Sequence, residues 1–309
     1  MTRSSVVEWV LVLAGVTTFV ALVFAYWPYT VDDTFIFLRY AQNLTGGHGL
    51  TWNPGGPPVE GYTSFSWTVL LAAPFLLHLE PLLFAKVGGV LCMVGAAVAA
   101  SLLAWRLAGS RFAAALTAFV FLLHPPTSIH AVSGMETALA TFLFAWWSLE
   151  TLKLLDGEGH RWRWALLGLA LGLTRPEANL VVGVGVVMLV ARAPRRRELL
   201  IAVTLGHVLP GALYFVTRAL WYGHLLPLPF YVKALGAEAN GLAGWPEAFE
   251  FFRLFTWERP WLFVPLVAAF TRLPRARWLS LPVAAWWPRS TSAPSPSTRV
   301  VGGRHLGSE

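Results

Sequence analysis

Residues 29–62, YTVDDTFIFLRYAQNLTGGHGLTWNPGGPPVEGY, decide how the rest of the chain is read. Asp32 and Asp33 stand before a short amphipathic run, 34–44. Gly46, Gly47, Gly49, Pro54, Gly55, Gly56, Pro57 and Pro58 then break the backbone repeatedly. The segment before this stretch, 6–27, is apolar and about 20 residues long, enough to cross about 30 Å of hydrocarbon. Tyr26, Trp27 and Tyr29 end it in the manner of an interfacial aromatic belt. It is too long for a signal-peptide core and lacks a small-residue cleavage site, so it reads as an uncleaved anchor. The polar stretch is then the first loop outside a membrane.

Composition agrees. Of 309 residues, 56% are hydrophobic and 13% charged, about half the charge of a soluble domain. The formal charge of +7 does not indicate nucleic acid. The basic residues fall in short clusters between apolar runs, as flanking charges of membrane helices do. Sixteen tryptophans suit a protein rich in membrane–water boundary. The single cysteine, Cys92, lies in an apolar run and excludes an intrachain disulfide framework.

The positive-inside rule sets the topology. Counting both 64–79 and 82–105 as crossings puts every later basic cluster on the wrong side. Residues 64–79, with Pro74, His78 and Glu80 close by, therefore read as an interfacial segment, and 82–105 runs inward. Residues 112–123 go out, 124–135 form an outer loop, and 136–154 come in. Residues 164–173 and 178–191 make a short-armed hairpin that turns outside at 174–177. Residues 198–217 go out, 222–260 form the second large outer segment, and 261–270 return. The expected fold is an all-α polytopic membrane protein of about 8 spans, covering 1–287 with outer loops 29–81 and 222–260. Residues 288–309, PRSTSAPSPSTRVVGGRHLGSE, are expected to form a disordered or aberrant tail.

Several constellations carry two readings each. Asp32 and Asp33 suit a helix N-cap; they equally suit a base for a sugar hydroxyl, or a pair holding a divalent ion. Arg39, His48, Trp52, Asn53, Glu60 and Tyr62 combine aromatic faces with hydrogen-bonding groups, as a sugar site does, or as an ordered loop pinned by turns does. Glu136 is either a first-turn acid or a wall of the same cavity. Arg175 and Glu177 either pair across their turn or present Arg175 to a phosphate. Arg218 and Lys233, with aromatics between them, either anchor at the boundary or hold a lipid phosphate. No zinc spacing and no Walker motif is present.

VDDTFIFLRYAQNLTGGHGLTWNPGG followed by VEGYTSFSW resembles the opening loop of the bacterial arabinofuranosyltransferase-like GT-C membrane glycosyltransferases. SGMETAL, LTRPEA and RALWYGHLLPLPFYVK resemble later blocks of the same proteins in the same order, so the resemblance spans 32–233. It implies a GT-C-like bundle with interfacial helices in the first outer loop. It implies a polyprenyl-phosphate-linked sugar donor, such as an arabinofuranose carrier, and a cell-envelope glycan, lipid or protein acceptor. It implies a multi-pass protein of the bacterial cytoplasmic membrane with an extracytoplasmic active face. Asp32 and Asp33 then take the catalytic positions, with Arg175, Arg218 and Lys233 as phosphate-facing candidates. Two departures stand out. Leu228 occupies a position where a polar residue is expected, and the tail replaces a continuation into further membrane helices, as a truncated or frame-shifted chain would. A non-catalytic envelope or motor-associated protein of the same fold is the second reading. A transporter ranks last, because the spans hold few mid-membrane charges.

Overall fold

The computed structural model describes residues 3–192 and 196–224, and all of these belong to one compact unit. Among the described residues every regular element is helical. α1 (Arg3–Tyr26) is followed by α2 (Asp33–Thr45) and by two short helices, α3 (Phe65–Leu70) and α4 (Ala72–Leu76). Next come α5 (Pro81–Ala108), α6 (Arg111–Leu123), α7 (Pro125–Val132) and α8 (Thr137–Leu155). α9 (Arg161–Thr174) and α10 (Ala178–Arg192) form the hairpin. α11 (Arg196–Val203) continues through a π-helical turn (Thr204–Val208) into α12 (Leu209–Tyr222).

Four of these segments are long and apolar enough to cross a membrane: Ser5–Tyr26, Pro81–Ala108, Thr137–Leu155 and Arg196–Tyr222. α6 and α7 make a fifth if they are taken as one span bent by 61°. The chain is thus an all-α polytopic membrane protein. Residues 124–135, expected as an outer loop, are mostly helical instead. Pro125 and Pro126 open α7, where the missing N–H groups cost nothing because a first turn has no intrahelical partner for them. α9 and α10, at 14 and 15 residues, are short for full crossings. The span expected at 261–270, Lys233, and the boundary at 287 all lie outside the described residues.

Within 64–79, α3 and α4 have six and five residues, too short to span. Trp67, Leu71, Ala72 and Pro74 are buried against the bundle, while Val69, Leu70, Leu76 and Leu77 are exposed. Glu80 caps α5, accepting from the backbone N–H groups of Leu82 and Leu83, and Pro81 follows at the first helical position.

α5 and α8 run in the same direction. Phe142 lies beside Gly95 near mid-helix, and Arg106 at the end of α5 pairs with Asp156 just past the end of α8. This gives the bundle two polar ends. One holds Arg106, Lys153, Asp156, Glu158, Arg161, Arg163 and Glu198, joined by the Arg106–Asp156, Arg106–Glu158 and Arg161–Glu198 pairs. The other holds the first loop, the 133–136 turn, the 174–177 turn and the last turns of α12. Lys86 fixes α1 to α5 at that end, donating to the carbonyls of Trp27 (2.6 Å) and Tyr29 (2.8 Å).

Close backbone approach holds α7 against α5. A Cβ added at Gly89 would overlap the carbonyl of Ala131, which belongs to the other helix and has no flexible end to move aside. At neighbouring Gly88 the nearest atom would be Trp67 Cη2 at 3.8 Å, an ordinary contact. Gly89→Leu is therefore expected to destabilise the solubilised protein by about 3 kcal/mol or more, and Gly88→Ala to leave its thermal midpoint within about 1 °C to 2 °C of the parent's. Thermal unfolding in detergent, followed by monodispersity, checks both.

Candidate functional site

The first loop is fixed at its start by one carbonyl. Ser133 O accepts from the Val31 N–H (3.1 Å) and from the Thr34 hydroxyl (2.9 Å). Trp67 Nε1 donates to the next carbonyl, that of Gly134, at 2.9 Å. Gly134 sits at φ +82°, and a Cβ there would lie 2.5 Å from Thr34 Cγ2, so glycine is required both for its backbone angle and for space. The start of α2, the interfacial α3 and the entrance of α8 thus meet at one point.

Farther along, the loop is pinned by side chains from α2 and α12. Asn43 Nδ2 donates to the carbonyls of Thr51 (2.7 Å) and Trp52 (3.1 Å). The Tyr40 hydroxyl donates to Val59 O (2.5 Å) and accepts from Gly61 N–H (2.8 Å). The Tyr222 hydroxyl donates to Leu50 O (2.7 Å). Tyr40 and Tyr62 stack edge to face at 4.9 Å, and burial pushes both phenols above their ordinary range. No local sequence signal marks Tyr40 or Asn43 for this pinning role.

The candidate site residues divide into two groups and an outlying set. The first group is Asp32, Asp33, Glu136, Arg175 and Glu177. Asp32 caps α2, its carboxylate accepting from the Asp33 N–H at 3.0 Å, so the capping role is real for that residue. Asp33 is exposed, and its carboxylate makes no hydrogen bond or ion pair among the described residues. Arg175 lies between two acids, with Nη1 at 3.4 Å from Glu136 Oε1 and 3.6 Å from Glu177 Oε1. Glu136 is 2% exposed, and its second oxygen is buried without a hydrogen-bond partner among the described residues. Burial raises the Glu136 carboxyl above its ordinary value; Arg175 opposes the rise, while Glu177 and Asp33 add to it.

The second group is Glu60, Tyr62 and Arg218. Glu60 and Arg218 form a buried ion pair between the first loop and α12, with side chains 3% and 4% exposed. Arg218 Nε donates to both carboxylate oxygens (2.8 and 2.9 Å), and Nη2 donates to Oε2 (2.6 Å). Removing one partner of such a pair leaves a buried charge uncompensated and typically costs about 3–5 kcal/mol. A cavity of about 380 Å³ adjoins the pair between α9, α10 and α12, and Pro176 of the 174–177 turn lines it.

The remaining candidates lie outside both groups. Arg39 Nε donates to the Trp52 carbonyl at 3.3 Å. His48 is exposed beside the Gly46–Gly47 turn. Asn53 is exposed, and its carbonyl accepts from the Gly56 N–H (3.1 Å) and the Thr51 hydroxyl (3.3 Å). Among the described residues no group of three or more His, Cys, Asp and Glu side chains is placed to hold a metal ion.

Long apolar helices with charged groups gathered at the two ends of the bundle define a polytopic membrane protein. The chain is 31% identical over 255 residues to the terminal β-(1→2)-arabinofuranosyltransferase of Mycobacterium tuberculosis, in an alignment covering 76% of this chain. Over the aligned residues the chain resembles an arabinofuranosyltransferase. It spans 39% of that relative's length. No family model and no solved structure matches it.

The Glu136 environment has a measurable consequence. A carboxyl raised in the fold is most costly when ionised, so the fold loses stability as pH rises through the raised value and loses none below the ordinary value of 4.5. Glu136→Gln removes the ionisation. It is expected to raise the thermal midpoint at pH 7 to 8 relative to the parent, with the difference vanishing as pH falls below about 4.5. Parallel melts across that range check the sign.

Proposed function

We propose that this chain is a glycosyltransferase that moves a sugar, arabinofuranose in the first instance, from a polyprenyl-phosphate donor to a cell-envelope acceptor. The site is the end of the bundle bearing Asp32 and Asp33, on the extracytoplasmic face. The observation that carries the reading is the cluster of Asp33, Glu136, Arg175 and Glu177. It offers an exposed carboxylate with no partner among the described residues and, close by, a guanidinium held loosely between two acids. The relative supports the sugar-transfer class through its own activity. The basic residues at the opposite end support an extracytoplasmic face for the acids.

The chemistry needs few parts. An acceptor hydroxyl oxygen bonds to the anomeric carbon, and the carbon–oxygen bond to the phosphate breaks. The lipid phosphate leaves with the bonding pair, and the hydroxyl proton passes to a carboxylate. Asp33 is the better base, because Asp32 is engaged in capping α2. Arg175 meets the charge that grows on the leaving phosphate, since its planar fork suits phosphate oxygens and its contacts to Glu136 and Glu177 are long enough to exchange. Arg218 and Lys233 are the further phosphate-facing candidates. Tyr29, Phe35 and Trp52 are 47%, 54% and 40% exposed around the loop and offer faces to a sugar ring. Either stereochemical outcome is compatible with these parts.

Membranes containing the chain, supplied with radiolabelled polyprenyl-phosphate arabinofuranose, should consume it. Asp33→Asn should lower that rate by roughly 10²-fold or more, with protein level and membrane insertion unchanged. Asp32→Asn should lower it less, because the asparagine oxygen can still accept from the Asp33 N–H and cap α2. Parental rates in both variants would remove the catalytic assignment.

A further inference from the structure

Lys86 stands in the second turn of α5 and is 5% exposed. A buried ammonium is costly unless its charge is answered. Here the end of α1 answers it. The carbonyls of Trp27 and Tyr29 accept from Nζ at 2.6 and 2.8 Å, and Nζ lies 5.6 Å from the centre of the Trp27 ring. Carbonyls at a helix C-terminus carry partial negative charge, and an aromatic face attracts a cation. Three residues on, Gly89 meets the Ala131 carbonyl of α7. Positions three apart on a helix share a face. One face of α5 thus registers the end of α1 through Lys86 and the end of α7 through Gly89.

These two ends restrain the segment that leads to Asp33. Lys86 holds Trp27 and Tyr29. Ser133 O, two residues beyond Ala131, holds the Val31 N–H and the Thr34 hydroxyl. Asp33 follows Tyr29 by four residues, at most about 14 Å of extended chain. Held by Ser133 alone, the segment could turn about that one carbonyl; a second restraint from another helix removes the freedom. We propose that Lys86 is a positioning residue for sugar transfer: by tying Trp27 and Tyr29 to α5 it sets where the Asp33 carboxylate stands, without itself touching either substrate. A base works only within hydrogen-bond reach of the proton it takes, and a misplacement of about 1 Å can cost roughly 10²-fold in rate. The inference rests on Asp33 as the base proposed above. Methionine at position 86 would keep an unbranched stem in the packing and lose the tie.

The test reads position and chemistry separately, in the whole chain on a Cys92→Ser background. Spin labels at Asp33→Cys and at Trp105→Cys, exposed near the other end of α5, report where residue 33 stands relative to that helix. Lys86→Met should shift or broaden this distance distribution. It should leave unchanged the distance from Trp105→Cys to Leu180→Cys, exposed on α10. An unaltered distance between 33 and 105, or equal broadening of both pairs, would overturn the inference whatever the activity of the chain. In transfer assays Lys86→Met should lower kcat roughly tenfold or more and leave the donor KM within about threefold of the parent's. On an Asp33→Asn background the same change should cost less than about twofold, because the group it positions is gone; a role in folding alone would cost the same in both backgrounds. Lys86→Cys alkylated with 2-bromoethylamine regains a lysine-like ammonium and should recover most of the lost rate, while its iodoacetamide adduct should not. Lys86→Gln, which can no longer carry the charge, takes the place of Lys86→Met in both assays if that variant does not insert. Equal losses with Asp33 and with Asn at that position, or a raised KM at unchanged kcat, would count against Lys86. Parental rates in Asp33→Asn would instead remove the proposed base and leave the spin-label distances to decide the positioning role.

Discussion

The carbonyl of Ser133 carries more of this structure than any other single group. It accepts from a backbone N–H and from a hydroxyl 99 residues earlier in the chain, and so fixes the start of α2 to the entrance of α8. Thr34 is wholly buried in making that contact, and Gly134 alone permits it. A loop with so many glycines and prolines has little order of its own, because each such residue favours a turn or relieves a constraint. Here the order is imported: from Ser133 and Gly134 at one end, from Tyr40 and Asn43 in the middle, and from Tyr222 and Arg218 at the other end. The exposed face that results, with Asp32 and Asp33 at its edge, is held by the bundle rather than by the loop itself.

The charged groups follow a consistent physical division. At the end where α5 and α8 finish, acids and bases pair with one another and leave little apparent work to do: Glu150 is matched by Lys153 and Arg163, and Arg106 by Asp156 and Glu158. At the opposite end the pairing is looser or buried. Arg175 is shared at 3.4 and 3.6 Å between two acids, Glu136 keeps one buried oxygen without a partner, and Glu60 and Arg218 are taken fully out of solvent. Glu150 at the first end is buried too but is paired twice; charge left under-satisfied is what is costly at the margin of a membrane. Its concentration in one place is the physical reason to seek the ligand there.

Much of this was legible from residue types, and what was not has identifiable causes. The apolar runs at 6–27, 82–105 and 136–154 mark long helices because nothing in them competes with burial in lipid. The doubtful lengths of 164–173 and 178–191 correspond to the short α9 and α10. Residues 124–135 look like a loop by composition, because their prolines and polar residues outweigh the favourable first-turn position of Pro125. The pairing of Glu60 with Arg218 had no local signal: the two lie 158 residues apart, and each alone resembled a solvent-facing or ligand-facing group. The same holds for Tyr222 and Leu50. The structural use of Thr34 could have been suspected from its place behind two aspartates and before a helix, but its acceptor could not.

Everything proposed here depends on which side of the membrane Asp33 faces. The chain has one native cysteine, Cys92, in α5, so a Cys92→Ser background allows single reporters. The most direct measurement is labelling of Asp33→Cys and, separately, Glu158→Cys with a membrane-impermeant maleimide in intact and permeabilised cells. The account predicts that position 33 is labelled in intact cells and position 158 only after permeabilisation. Labelling of position 158 but not 33 in intact cells would place the acids on the cytosolic side and contradict the donor, the acceptor and the direction of transfer together.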